Sequence, residues 1–308
     1  MSTRPEPAAG RSLRCHAPGK INLGLRVVGR RADGYHELVS LFAPLDFGDD
    51  IEIAVSESPT LEVEIELEGA SQEIPVDASN LACRAAKSFA EAAGLRYRIG
   101  LRIEKRLPAG AGLGGGSSDA GAVLRALRDL FPGALDGSRL AGLALELGAD
   151  VPFFLDPRPA LVSGIGERIQ ALDGLPSLPV LLANPGVALA TADVFRTFAA
   201  IRPALTKSPT DRRIRPLSGA ADPGWTFAGA AGLSLENDLE PIAVRLCPPI
   251  ARLQRQIRAA GAQAVGMSGS GATVFGLFES AEAAKRALEE AAFEAPVWAR
   301  VAATQESR

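Results

Sequence analysis

The chain has 308 residues, is 47% hydrophobic and 22% charged, and carries a formal net charge of −3. This is ordinary for a globular protein with chain enough for roughly two domains, and it speaks against a nucleic-acid-binding surface. No apolar run reaches the ~18 residues needed to span a bilayer, and Cys15, Cys83 and Cys247 lack metal-ligand spacing, as in a reduced intracellular protein.

Taken in order, the first fourteen residues mix Pro, Arg, Glu and Gly and read as a loose tail, not a secretion signal. Ile21, Leu23, Leu25 and Val27 alternate with Lys20, Asn22, Gly24 and Arg26, which predicts a strand with one apolar face. A turn at Arg31-Ala32-Asp33-Gly34 leads into strand-like runs at 38–45, 51–55 and 61–68. The last places Glu62, Glu64, Glu66 and Glu68 on one face, where a solvated surface is a better reading than a cation site. Helices are predicted at 80–93, 118–131 and 138–147, with a strand at 95–104. Beyond 160 the order is strand (180–184), helix (191–200), a polar loop within 202–224, helix (249–260), strands (264–267 and 272–278), helix (281–292) and strand (296–302). Strand–helix–strand–strand–helix–strand is the ferredoxin-like pattern. The fold class is therefore α+β with two domains, 1–160 and 161–308.

The stretch from Gly110 to Ser118 packs five glycines and two serines into nine residues directly ahead of a helix. It satisfies G-x-G-x-x-G, but its context excludes a dinucleotide fold. The preceding strand alternates as a half-exposed strand would, and a second helix follows the first where that fold needs a strand ending in an acid. No Lys-Ser/Thr pair follows the glycines, so it is not a P-loop either. What remains is shared physics: glycines let backbone approach a bulky anion, and free helix N-terminal N–H groups favour negative charge. Ser117 and Ser118 can cap the helix or donate to phosphate oxygens. A tight serine-capped turn is the plainer alternative, although one or two glycines would suffice for it.

"LPAGAGLGGGSSDAG" resembles the phosphate loop of the GHMP kinases (galactokinase, homoserine, mevalonate and phosphomevalonate kinases). "APGKINLGL" at 17–25 and "GMSGSGATVFGLF" at 266–278 resemble two further motifs of that superfamily, in the same order. Within it, "RRADGYHELVSLF", "GADVPFFL" and "NDLEPIA" are similar to the branch that phosphorylates a cytidine-diphosphate sugar alcohol in non-mevalonate isoprenoid synthesis. Gly19 stands where that branch usually has Ala. The resemblance implies an N-terminal domain like the second domain of ribosomal protein S5, with a ferredoxin-like C-terminal domain. It also implies ATP with Mg2+ as cosubstrate, and no tightly bound organic cofactor. Asp119 and a loop serine could contribute to the metal, or Asp119 could be a first-turn helix acid. Partners would be small molecules only, with no nucleic acid and no membrane, in a monomer or homodimer. A bacterial cytoplasm is the expected location, with an organelle matrix as the alternative.

By the same resemblance, Asp150 is the base for the substrate hydroxyl and Lys20 its cationic partner. On their own residues, Lys20 could equally be a solvated lysine and Asp150 a carboxylate in a turn. The resemblance gives the ATP phosphates to Pro108, Ala109, Gly110, Ala111, Gly112, Leu113, Gly114, Gly115, Gly116, Ser117 and Ser118, and the adenine side to Asn80, which otherwise reads as a helix N-cap. It gives the substrate to Asn22, Tyr35, His36, Thr191 and Phe195, with an aromatic ring stacking on cytosine and His36 bonding to its edge. Gly269, Ser270 and Gly271 form a second glycine turn, either supporting the phosphate loop or simply closing a hairpin. A homoserine- or mevalonate-type kinase, or a non-catalytic nucleotide sensor, are the competing functions.

Overall fold

The computed structural model describes residues 10–69, 74–201 and 235–307; the polar loop expected within 202–224 lies outside them. The chain divides into two compact units whose segments alternate. One comprises the residues up to Pro18, Gly48–Leu107 and Gly115–Asp156; the other comprises Gly19–Phe47, Pro108–Gly114 and the residues from Pro157 on. The expected cut near 160 lies close to the last of these junctions. The earlier exchanges follow from two long strands, β1 (Arg11–Arg30) and β2 (His36–Glu57), each contributing one half to each unit.

In the first unit β3 (Glu62–Glu68) runs parallel to β4 (Tyr97–Glu104), and β4 pairs antiparallel with residues 50–57 of β2. Helices α1 (Leu81–Ala92), α2 (Gly115–Leu130) and α3 (Gly137–Leu147) follow their predicted periodicity and bury apolar stripes with Ile51, Ile53, Val55, Ile99, Leu101 and Ile103 in one core. A single 3₁₀ turn, Pro152–Leu155, follows α3. Glu62 and Glu66 meet Arg98 and Arg102 across the parallel pair at 2.8 and 3.1 Å, so that face is the solvated surface expected of it.

The second unit holds β5 (Ala160–Gly164), antiparallel to residues 38–42 of β2, and β6 (Arg168–Ala171), antiparallel to β5. It also holds a four-stranded antiparallel sheet in the order β10–β7–β9–β8, from β7 (Pro179–Asn184), β8 (Ala264–Met267), β9 (Val274–Leu277) and β10 (Trp298–Ala303). Numbered within the motif this is 4-1-3-2, the ferredoxin-like order. Helices α4 (Thr191–Ile201), α5 (Glu240–Leu246), α6 (Pro249–Ala259) and α7 (Ala281–Ala291) belong to the same unit. Its core joins Leu181, Val194, Phe198, Ile250, Leu253, Ile257 and Val274. No described helix is long and apolar enough to cross a membrane.

Two sequence expectations are corrected. The loose tail ends by residue 11, because β1 begins there, and residues 17–25 are buried on both faces rather than one. The run 38–55 is not two strands but the single strand β2. In both cases polar residues, a proline or a glycine mask the strand: Arg11, Arg14 and Pro18 in β1, and Asp46, Gly48, Asp49 and Asp50 in β2.

Candidate active site

The glycine loop takes the conformation its composition allows. Gly110, Gly112 and Gly114 have φ of 61°, 77° and 73°, positive at every second residue. Such alternation turns successive amides toward one side, as in backbone nests that bind anions. In the second unit three consecutive loop carbonyls are tied down. Ala111 O accepts from the Thr273 N–H at 3.2 Å, Gly112 O from the Ser268 hydroxyl at 2.8 Å, and Leu113 O from the Lys20 N–H at 2.9 Å.

The two alternatives for the second glycine turn are structurally compatible. It closes the β8–β9 hairpin, and it braces the loop: Gly112 lies so close to Ser268 that a Cβ there would stand 2.2 Å from the Ser268 carbonyl oxygen. Asn237 ties the same turn down by donating to the carbonyls of Met267 and Gly269 at 2.9 and 2.8 Å. Ser268 and Asn237 are supports that sequence reading did not single out, although they lie inside the GMSGSGATVFGLF and NDLEPIA motifs.

Helix α2 begins at Gly115, three residues before its predicted start, because the apolar periodicity that located it starts only after the glycines and serines. The two serines are therefore first-turn residues, not N-caps. Gly115, Gly116, Ser117 and Ser118 supply the four N–H groups that helix geometry leaves without intrahelical partners. Ser118 is fully buried and donates its hydroxyl to Pro18 O at 2.7 Å, while Ser117 is half-buried.

In the second unit Lys20 is not the solvated lysine of the plain reading. It is 3% exposed, donates from Nζ to Asn22 Oδ1 at 2.6 Å, and lies 4.5 Å over the Phe42 ring. Asn22 in turn donates from Nδ2 to the Ser40 hydroxyl at 2.7 Å, and Ser40 donates to Gly24 O at 2.6 Å. The chain thus fixes Lys20 by a relay of buried polar groups on β1 and β2, and Phe42 and Ser40 join the residues that sequence reading did not identify.

His36 stacks on Phe195 with centroids 5.1 Å apart and meets Phe198 edge-on at 6.2 Å. Its Nε2 is buried with no protein partner. Burial, helped by the Arg30 charge, lowers the His36 pKa, so the ring is neutral at pH 7. Phe195, expected to offer a face to a base, has one face covered by His36. Tyr35 is 61% exposed at the tip of the β1–β2 turn. Thr191 opens α4 and shares a 2.9 Å hydrogen bond with Ser270.

In the first unit Asn80 is the N-cap of α1. It accepts from the Ala82 N–H at 2.9 Å and donates to Pro75 O at 2.7 Å. Asp150 is half-buried in the turn between α3 and Pro152–Leu155. Asp119 lies one turn into α2, beyond the first turn, and its Oδ2 accepts from Lys105 at 2.7 Å. Burial pushes the thiols of Cys15, Cys83 and Cys247 up, Cys15 to about 11, so all three are protonated at neutral pH and poor nucleophiles. Among the described residues no cluster of three His, Cys, Asp or Glu side chains is placed to hold a metal ion.

Comparison with known proteins matches these features to one family. Residues 80–156 match the GHMP kinases N terminal domain, and residues 226–296 match GHMP kinases C terminal. A 4-diphosphocytidyl-2-C-methyl-D-erythritol kinase of Citrifermentans bemidjiense is 41% identical over 282 residues, covering 92% of this chain and 95% of the relative. The enzyme of the same name from Sinorhizobium medicae is 40% identical over 303 residues, with 96% of each chain covered. A crystal structure of 4-(cytidine 5'-diphospho)-2C-methyl-D-erythritol kinase superposes with a TM-score of 0.74 at 38% identity, over 95% of this chain and 100% of that one. The chain belongs to the GHMP kinases, in the 4-diphosphocytidyl-2-C-methyl-D-erythritol kinase family.

Proposed function

We infer that the chain transfers the terminal phosphoryl group of ATP to the 2-hydroxyl of 4-diphosphocytidyl-2-C-methyl-D-erythritol, giving the 2-phosphate and ADP in non-mevalonate isoprenoid precursor synthesis. The observation that carries the nucleotide half is the glycine loop. Its carbonyls at Ala111, Gly112 and Leu113 are spent on the protein, its glycines alternate at positive φ, and it runs straight into the open N-terminus of α2. A segment with carbonyls held back and amides offered suits a polyphosphate. The substrate half rests on family membership, supported by His36.

The residues from Pro108 to Ser118 surround the phosphates, and Asn80, held by its cap, stays on the adenine side. Magnesium, which keeps waters and phosphate oxygens as ligands, travels with the ATP. Asp119, with an oxygen committed to Lys105, suits a role within the protein better than one as metal ligand. When bound, the cation screens the phosphate charge. Phosphoryl transfer then asks the chain for orientation and charge compensation. Asp150 orients the acceptor hydroxyl and receives its proton. The Lys20 ammonium offsets charge on the moving phosphoryl group, with Asn22 holding it on the substrate side. The loose transition state demands little early proton removal, so positioning is Asp150's larger contribution.

For the cytidylyl group we propose His36, whose unpartnered Nε2 bonds to the base edge, with Tyr35, Phe195 and Thr191 as its neighbours. Replacing His36 by Phe keeps an aromatic stack and removes the nitrogen. The KM for the cytidylyl substrate then rises about tenfold, with the KM for ATP unchanged. Because burial lowers the His36 pKa, its neutral form contributes stability that is present above the free-imidazole value of ~6.5 and is lost as pH falls below it. The same KM accordingly stays level above ~6.5 and climbs on the acid side. A flat acid limb would remove His36 from the base pocket.

The domain assignment, 1–160 and 161–308, and a cytoplasmic location belong to the same proposal. The function is tested with purified protein, ATP and magnesium against the cytidylyl alcohol, homoserine and mevalonate, scored as ADP release. Release with the cytidylyl alcohol alone is expected. Release with homoserine or mevalonate instead moves the chain to another branch, and ATP binding without release makes it a sensor.

A further inference from the structure

An ionic cluster at the start of α2 has no part in the chemistry assigned so far. Lys105, Asp49 and Asp119 are 8%, 0% and 5% exposed. Lys105 Nζ donates to Asp49 Oδ2 and to Asp119 Oδ2. The other Asp49 oxygen accepts the backbone N–H groups of Arg106 and Leu107 at 2.6 and 2.9 Å. A Cβ on Gly115 would stand 3.7 Å from Asp49 Oδ2. Asp119 Oδ1 is buried with no partner. Burying three charges is costly, and apolar side chains of similar volume often hold a fold as well or better. Stability alone does not account for the cluster.

Its placement in the chain does. Lys105 to Leu107 are the last residues before the 108–114 loop, Gly115 is the first residue of α2, and Asp119 lies one turn further on. We propose that Lys105, Asp49 and Asp119 form a positioning clamp that sets the spacing between the strand entering the glycine loop and the helix leaving it, and so aligns the loop amides for the nucleotide phosphates. The proposal rests on the reading of that loop as the ATP site. The clamp acts through the loop and touches no reactant.

The clamp also sets local charge. Two carboxylates share one ammonium beside the helix end that meets the polyphosphate. Burial raises the Asp119 pKa to about 7; Asp49 adds to the rise and Lys105 opposes it. For Lys105 burial works against the charge, but the two carboxylates outweigh it and the pKa rises, so the ammonium stays protonated.

The test compares wild type, Asp119→Leu and Asp119→Asn by calorimetry with magnesium–ADP, alongside steady-state kinetics and thermal unfolding. Asp119→Leu is expected to raise the ADP dissociation constant and the ATP KM about tenfold, as for loss of one charge-assisted hydrogen bond, with the cytidylyl KM unchanged. Asp119→Asn, which can still accept from Lys105, brings both back to within about twofold of wild type. A folded Asp119→Leu protein with wild-type nucleotide constants overturns the clamp, whatever its melting temperature. If that variant does not fold, Asp119→Ala decides by the same constants: a raised ADP dissociation constant with the cytidylyl KM unchanged supports the clamp, and wild-type nucleotide constants overturn it. Wild-type protein that binds no ADP overturns the loop assignment itself, and the clamp with it.

Discussion

Replacing Asp150 by Asn lowers kcat about a thousandfold, while the ADP dissociation constant stays within about twofold of wild type. The asparagine keeps the shape of the side chain and removes its basicity, so the loss reports proton acceptance and orientation by charge. A thousandfold is about 4 kcal/mol of transition-state stabilisation, within the range for a positioned general base. The backbone around Asp150 is firmly held. Gly148 N–H bonds to Ala144 O, Val151 N–H bonds to Gly148 O, and Phe153 and Phe154 are buried just beyond. Gly121 on α2 allows that close packing, since a Cβ there would come within 2.5 Å of Phe154 Cβ. The substitution should therefore leave the melting temperature nearly unchanged. Retention of more than about a tenth of the turnover, less than 1.4 kcal/mol, would remove Asp150 from the chemistry.

Replacing Gly112 by Ala abolishes useful nucleotide binding, raising the ATP KM by at least about a hundredfold. Two costs coincide at this position. The left-handed backbone penalises any residue with a Cβ by roughly 1–2 kcal/mol, at φ 77° here. The new methyl group would also stand 2.2 Å from the Ser268 carbonyl oxygen and 3.0 Å from that of Gly271, both backbone atoms with no rotamer to change. The loop must move, and the hydrogen bonds at Ala111, Gly112 and Leu113 are strained or lost with it. Together these exceed the ~2.7 kcal/mol that a hundredfold represents. Gly116→Ala is the control, because a Cβ there meets nothing within 4 Å; it is expected to change the same KM far less. Equal effects at both positions would mean that the loop geometry is not what binds the nucleotide.

The longer helices and the ferredoxin-like strand order were legible because each of those helices carries an apolar stripe and each strand a short apolar run. Other features were hidden for physical reasons. The middle of β2 carries Asp46, Gly48, Asp49 and Asp50, which read as a turn between two strands, and burial of both faces of residues 17–25 leaves no trace in their polar–apolar alternation. The start of α2 is built from Gly and Ser, poor helix formers chosen for what their amides do, so periodicity located the helix three residues late. Helix α5 is seven residues with a proline in its first turn, too short for a pattern.

The candidate site divides the same way. The glycine loop declared itself by composition, and Lys20, Asn22 and His36 were found by the company they keep in short motifs. Phe42 under Lys20, Ser268 under Gly112 and Asn237 on the hairpin turn lie inside such motifs too, but only the tertiary contacts give them their supporting roles. Asp49, Lys105 and Asp119 are separated by 56 and 14 positions, and nothing local marks them as one cluster.

The central claim is that main-chain amides of the glycine-dense segment hold the terminal phosphates of ATP. It is tested most directly by amide chemical shifts of isotope-labelled protein titrated with a magnesium complex of a non-hydrolysable ATP analogue. The largest shifts should fall on the N–H groups from Gly110 to Ser118. Saturable binding that leaves those amides unmoved while others shift would contradict the account.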